Sequence, residues 1–157
     1  MNLVEQMQNI VKDLEVTIDL GNANYKMLID GKRVIDSSNV EEVPTGTFGA
    51  YSVNGKSYLF GEGAIVKYNT NKIIEDKRAL LGRALYPVVE SEQNVVVTTL
   101  LPLSLYINND NKERYKELLK GKYVVSNPNG YTKTINVQEV NICCEGFSAL
   151  ITRPELL

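Results

Sequence analysis

The spacing of apolar residues changes from helical to alternating just after residue 14. Leu3, Met7, Ile10, Val11 and Leu14 recur at intervals of three and four, with Glu5, Gln8, Asn9 and Asp13 between them. That predicts a short amphipathic helix over 3–14, whose apolar stripe needs a cover from its own domain or from a partner. From 15 to 36 the period is two, as in strands with one face on a core. A first turn centred between Asn22 and Ala23 sets Asp19 opposite Lys26, Ile18 opposite Met27 and Val16 opposite Ile29. In that register Val16, Ile18, Leu20, Tyr25, Met27 and Ile29 share one face, while Thr17, Asp19, Lys26 and Asp30 share the other. A slip of one residue would mix the two sets, so the pattern itself selects the pairing.

Asp30-Gly31 supplies a second tight turn into a third strand, Lys32 to Ile35. Residues 36 to 50 are rich in Ser, Asn, Glu, Gly and Thr and read mostly as a loop. Tyr51 to Val53 and Ser57 to Phe60 flank Asn54-Gly55, a strong hairpin signal. Helical spacing returns over 72–86 through Ile73, Ile74, Leu80, Leu81 and Leu85, and Pro87 ends it. Asn94 to Leu101 is a β-branched apolar run without alternation, expected to be a central strand buried on both faces and stopped by Pro102. Asn111 to Leu119 reads as a helix with Glu113, Arg114, Lys116 and Glu117 towards solvent. Lys122 to Ser126 and Tyr131 to Val137 flank a turn at Asn127-Pro128-Asn129-Gly130, and Glu139 to Cys144 continues as a strand. Glu145 then opens a helical stretch cut by Pro154. The expected class is α/β with a mixed sheet, an antiparallel meander, flanking helices and an inserted hairpin.

Composition narrows the chemistry. The 157 residues are 43% hydrophobic, enough for one well-buried domain. A formal net charge of −2 leaves no uniform basic field, so direct nucleic-acid binding and attraction to an acidic membrane are not expected. There is no histidine, which removes imidazole catalysis and histidine-bound zinc. Cys143 and Cys144 are adjacent, and neighbours on a strand face opposite ways, so they are expected to be reduced structural thiols. With no apolar run near the ~18 residues of a membrane span and no basic-then-apolar start, a soluble cytoplasmic chain is expected.

The candidate chemistry lies in VTIDLGNANYK, residues 16 to 26. Direct cross-strand neighbours have Cβ atoms about 4.5 to 5.5 Å apart, so Asp19 and Lys26 are in reach of one another. Two readings stand at this point. The turn amides of Gly21 to Asn24, the Lys26 ammonium and a metal-holding Asp19 would suit a chelated phosphate. Alternatively the two charges are a surface ion pair worth under ~1 kcal/mol. Gly55-Lys56-Ser57 is a decoy, because Gly49 is out of register for a P-loop. Glu145, at the start of a helix, suits a capping acid or a water-orienting group near phosphates.

From Val16 to Leu150 the chain resembles the N-terminal half of bacterial actin homologues, most closely ParM-like plasmid segregation ATPases and their plasmid and phage relatives. Three marks carry the resemblance: D-x-G-x-x-x-x-K as Asp19, Gly21 and Lys26; VVVTTLLPLSLY at 95–106; and INVQEVNICCEGFSAL at 135–150. It implies an actin and Hsp70-type, ribonuclease H-like fold, in which two domains clamp Mg-ATP and monomers polymerise into filaments that separate replicons. By position, Asp19 would help hold the hydrated Mg²⁺, Gly21, Asn22 and Asn24 would lie along the phosphates, and Lys26 would contact their oxygens. Glu145 would match the acid that orients the attacking water, although Cys144 stands where relatives commonly carry proline.

The resemblance implies residues 1–14 as a helical extension and 15–157 as the first domain, with an insertion at about 37–72. The family's second D-x-G hairpin and its glycine pair against adenosine have no counterpart here: Asp19-Leu20-Gly21 is the only Asp-x-Gly, and no Gly-Gly occurs. The second domain is thus expected to be absent and the isolated chain to bind ATP weakly without turning it over. Self-association as filament or dimer, or docking of a second domain or filament partner, is expected. The alternative is a non-enzymatic actin-like module that binds filaments or a protein partner; an unrelated α/β domain is the third reading.

Overall fold

The computed structural model describes residues 2–4, 13–65 and 72–146. In it one mixed sheet of nine strands carries the fold. The strands are β1 (Leu14–Leu20), β2 (Asn24–Ile29), β3 (Lys32–Ser37), β4 (Val40–Val43), β5 (Tyr51–Val53), β6 (Lys56–Phe60), β7 (Asn94–Leu101), β8 (Gly121–Ser126) and β9 (Thr132–Cys144). Their spatial order is β3-β2-β1-β7-β9-β8-β5-β6-β4. β1, β7 and β9 run parallel at the centre, and the other pairings are antiparallel. The helices are α1 (Glu75–Leu85), the short α2 (Leu103–Tyr106) and α3 (Asn109–Leu119).

The meander has the register its face pattern predicts, with Ile18 opposite Met27, Asp19 opposite Lys26 and Leu20 opposite Tyr25. All six apolar residues of that face are buried. Burying that face, with α1 packed on β1, removes apolar area from water at ~25 cal/mol per Å² and so favours this register. The turns at Asp30-Gly31 and Asn54-Gly55 place both residues at positive φ, the geometry that two-residue hairpins need. Gly55-Lys56-Ser57 is therefore a turn running into β6, as the failed P-loop spacing implied.

Several expectations are corrected. Residues 36–50 are mostly loop, but within them lies a strand that the pattern does not predict: Val40 to Val43 pairs with β6, and Val40 is buried opposite Phe60. The VEEV sequence hides this strand, since two adjacent acids break the alternation. The inserted hairpin continues the main sheet, because β5 pairs with β8. Leu14 is a strand residue opposite Val95 and not the end of the first helix; residues 5–12 of that expected helix lie outside the described residues. β7 is not equally buried on both faces. Val95, Val97, Thr99 and Leu101 are sealed under the helices, whereas Asn94, Val96, Thr98 and Leu100 are half-buried. Among the described residues α1 and α3 pack on one face of the sheet, and β7 is apolar on both because it has parallel neighbours on either side.

β9 is one strand with an irregularity where Val95 pairs Val137 and Val96 pairs Glu139. The extra residue, Gln138, resets the alternation, so Val137 and Val140 both reach the core. That reset sends Cys143 to the exposed side and leaves Cys144 half-buried, both as free thiols. Glu145 follows β9 directly; the helix expected after it falls on residues 147–157, outside the described set.

Candidate functional site

Parallel strands aligned in one sheet bring their carboxyl ends to one edge, where ligands of α/β sheets commonly bind. Here that edge gathers the Asp19-Leu20-Gly21 end of β1, the Leu101-Pro102 end of β7 and Glu145 beyond β9. The Glu145 amide donates to the Leu101 carbonyl at 2.8 Å, tying the last two together. Thus Asp19 and Glu145, distant in sequence, meet at the same rim.

The residue between them is one that the motif reading does not include. Lys72 Nζ lies 3.5 Å from Asp19 Oδ1 and also pairs with Glu145 Oε1. Its side chain is only 7% exposed, against 33% for Asp19 and 35% for Glu145. The periodicity of 72–86 places Lys72 in a helix, but α1 starts at Glu75 after an extended Ile74. Glu75 and Asp76 supply the first-turn acids that favour a helix start there. Outside the helix, Lys72 is free to extend towards the rim.

Asp19 faces Lys26 across the hairpin, yet its ion pair is with Lys72; among the described residues Lys26 makes no ion pair. The cross-strand surface pair is therefore not formed, and the exposed Lys26 ammonium stands over a groove that Thr17, Leu28, Arg33, Ile35 and Leu100 also line. Gly21 is half-buried and Asn22, Ala23 and Asn24 are exposed at the hairpin tip. The Ser38 amide donates to the Ala23 carbonyl at 3.0 Å and fixes the tip to the end of β3. A Cβ at Gly21 would stand 2.5 Å from the Asn24 carbonyl oxygen, so the tightness of this turn requires glycine.

Beneath the hairpin, Lys77 of α1 is buried and donates to the Leu20 and Gly21 carbonyls at 3.1 and 3.2 Å. Its signal in the sequence is a lysine on the apolar stripe of Ile73, Ile74, Leu80 and Leu81. Burial, and then the nearby Lys72 charge, lower its pKa to about 8, while Asp19 and Asp76 oppose the shift. A lysine whose folded pKa is depressed lets the unfolded chain hold the extra proton between pH 8 and 10.5. Stability should rise with pH across that window, by about 2 kcal/mol between pH 7.5 and 9.5. Urea unfolding at those two pH values checks this, and Lys77→Met should flatten the rise.

Two hydroxyls complete the interior below the rim. Tyr115 on α3 and Thr99 on β7 are fully buried, and neither hydroxyl has a partner in good hydrogen-bond geometry. Burial raises the Tyr115 pKa, the Thr99 hydroxyl lowers it, and the charges of Asp19 and Glu145 raise it further. Tyr115 therefore lies within the field of both carboxylates. Among the described residues no three acid or thiol groups converge as metal ligands, so the rim offers a two-carboxylate site.

Residues 17–147 match the family model described as the N-terminal domain of actin-like proteins. No curated protein matches the chain in sequence. Among solved structures, the archaeal actin homologue Ta0583 superposes with a TM-score of 0.73 at 20% identity, covering 90% of this chain and 49% of that one. The apo pSK41 ParM protein gives 0.68 at 22% identity, covering 89% and 52%. An AlfA filament bound to AMPPNP gives 0.69 at 20%, covering 88% and 57%. The chain thus spans about half the length of the structures it matches. The mixed sheet and flanking helices are those of actin homologues, and with a family match across most of its length the chain belongs to the actin-like proteins, as an N-terminal domain.

Proposed function

We propose that this chain is the nucleotide-binding first domain of an actin-like, filament-forming protein that segregates plasmid or phage DNA in the cytoplasm. The observation that carries the reading is the convergence of Asp19 and Glu145 at the carboxyl edge of β1-β7-β9, beside an exposed hairpin tip and a Lys26 that makes no ion pair among the described residues. The donor set fits a Mg-nucleotide: Mg²⁺ needs few protein carboxylates, keeps several waters and takes the rest of its shell from phosphates. When bound, the metal ion neutralises charge on the phosphate oxygens.

The chain's own residues divide the remaining work. Asp19 would hold the hydrated cation, Gly21, Asn22 and Asn24 would lie along the phosphates, and Lys26 would contact their oxygens. Glu145 is positioned to orient a water at the same rim. Lys77 keeps the end of β1 and the start of the turn in place through two carbonyls. Positioning and charge stabilisation from all sides carry phosphoryl transfer, and this chain has a single Asp-x-Gly hairpin. Alone it should bind Mg-ATP weakly and not turn it over.

Support from relatives is of the same kind: one solved relative is an AlfA filament bound to AMPPNP, and Ta0583 has been solved in complex with ADP. Self-association follows the same analogy. The test is calorimetric titration of Mg-ATP into the chain and into Asp19→Ala and Lys26→Ala. Each variant should weaken binding about tenfold, the loss of one charge-assisted contact. Equal binding by all three proteins would sink the assignment, and no binding by the parent would favour an interaction module instead.

A further inference from the structure

We infer that Lys72 is a built-in counter-ion for Asp19 and Glu145, and that it competes with a divalent cation for the space between them. The inference rests on the metal-nucleotide reading for its biological meaning, but its geometry stands by itself. Two carboxylates lie close enough to share one ammonium. Without a cation between them, their like charges would repel in a partly desolvated rim. Lys72 supplies that cation while buried almost completely, and among the described residues its ammonium has no backbone carbonyl partner of the kind that holds Lys77. Its contacts among the described residues are thus with the two carboxylates, and residues 72–74, just ahead of α1, belong to neither helix nor strand.

An ammonium and a hydrated divalent ion cannot occupy this space together. Each would sit within hydrogen-bond or ligand distance of the same two oxygens, and their mutual repulsion is strong where solvent is partly excluded. Cation binding must displace Lys72. The consequence is selectivity: a free metal ion meets an occupied site, whereas a metal that arrives with a polyphosphate brings anionic oxygens that can take up the released ammonium. Lys72 would thus bias the rim against bare cations and towards the chelate.

Mn²⁺ is the probe, its free concentration read by electron paramagnetic resonance with no nucleotide present. Lys72→Met should bind Mn²⁺ about tenfold more tightly than the parent, because the competitor is gone while both carboxylates remain. Lys72→Arg, which keeps the charge, should behave like the parent. Adding Asp19→Asn to Lys72→Met should abolish the gain. Unchanged or weaker Mn²⁺ binding by Lys72→Met would overturn the inference, as would a gain that survives Asp19→Asn.

If Lys72→Met does not fold in metal-free buffer, Mn²⁺ should restore its circular dichroism where NaCl of equal ionic strength does not. Failure of Mn²⁺ to restore it also overturns the inference. The two proposals can fail separately. A parent that binds Mg-ATP while Lys72→Met shows no gain sinks this one alone; a gain in a protein that never binds Mg-ATP supports it and sinks the nucleotide reading.

Discussion

Tyr123→Ala lowers the unfolding free energy of this domain by about 3 to 5 kcal/mol, the range for deleting a fully buried aromatic side chain. The ring on β8 is sealed between the sheet and α1, and three contacts with α1 and α3 depend on it. Its edge packs against Gly82, where an added Cβ would be 3.1 Å from Tyr123 Cδ2, so helix and strand approach as closely as a glycine allows. The Arg78 guanidinium lies 4.2 Å from the ring centroid and donates to the Leu118, Lys120 and Lys122 carbonyls. The bonds to Leu118 and Lys120 satisfy carbonyls at the end of α3, and the bond to Lys122 ties the arginine to β8. The Tyr123 hydroxyl donates to the Leu119 carbonyl at the same place.

Removing the ring therefore opens a cavity and releases the arginine that closes a helix end. Tyr123→Phe keeps the ring and should cost only about 1 kcal/mol, the net worth of a typical hydrogen bond. Urea unfolding of the two variants separates the contributions. Equal losses would show that the hydroxyl, and not the packing, holds α3.

Gly21→Val costs about 3 kcal/mol, at the upper end for overpacking, and removes any Mg-ATP binding the chain has. The contact that forbids it is with a backbone oxygen, the Asn24 carbonyl at 2.5 Å, and not with a side chain that can turn away. The turn must open, and its movement breaks the Lys77 bonds to the Leu20 and Gly21 carbonyls. Asp19 lies two residues before the turn, so the carboxylate shifts as well. Thermal melting read beside the ATP titration checks both effects. A variant with parental stability would show that the hairpin is looser than its geometry implies.

Some of this was legible in the sequence because it depends on neighbours in the chain. The two-residue period of 16–29 allowed one register only, and that register placed Asp19 opposite Lys26 before any sheet was known. Asn54-Gly55 marked its own hairpin because both residues tolerate positive φ. Other features were hidden for physical reasons. Val40–Val43 pairs with β6 although its two adjacent acids do not alternate, so tertiary pairing overrode local pattern. Ile73 and Ile74 continued a helical rhythm although they precede the helix, and the same rhythm placed Lys72 inside α1.

What the sequence determined by itself was therefore the hairpin: its turn, its faces, the glycine it needs, and the charges it carries. Only the tertiary structure decided which charge answers Asp19. The lysine across the strand is the nearer candidate in the hairpin, but the partner of Asp19 is Lys72, which lies just ahead of α1, the helix packed on β1. Glu145 joins them because β1, β7 and β9 run parallel and end at one edge. Alternation is a local property that two strands can express alone; the meeting of three chain-distant charges depends on strand order, which no local pattern encodes.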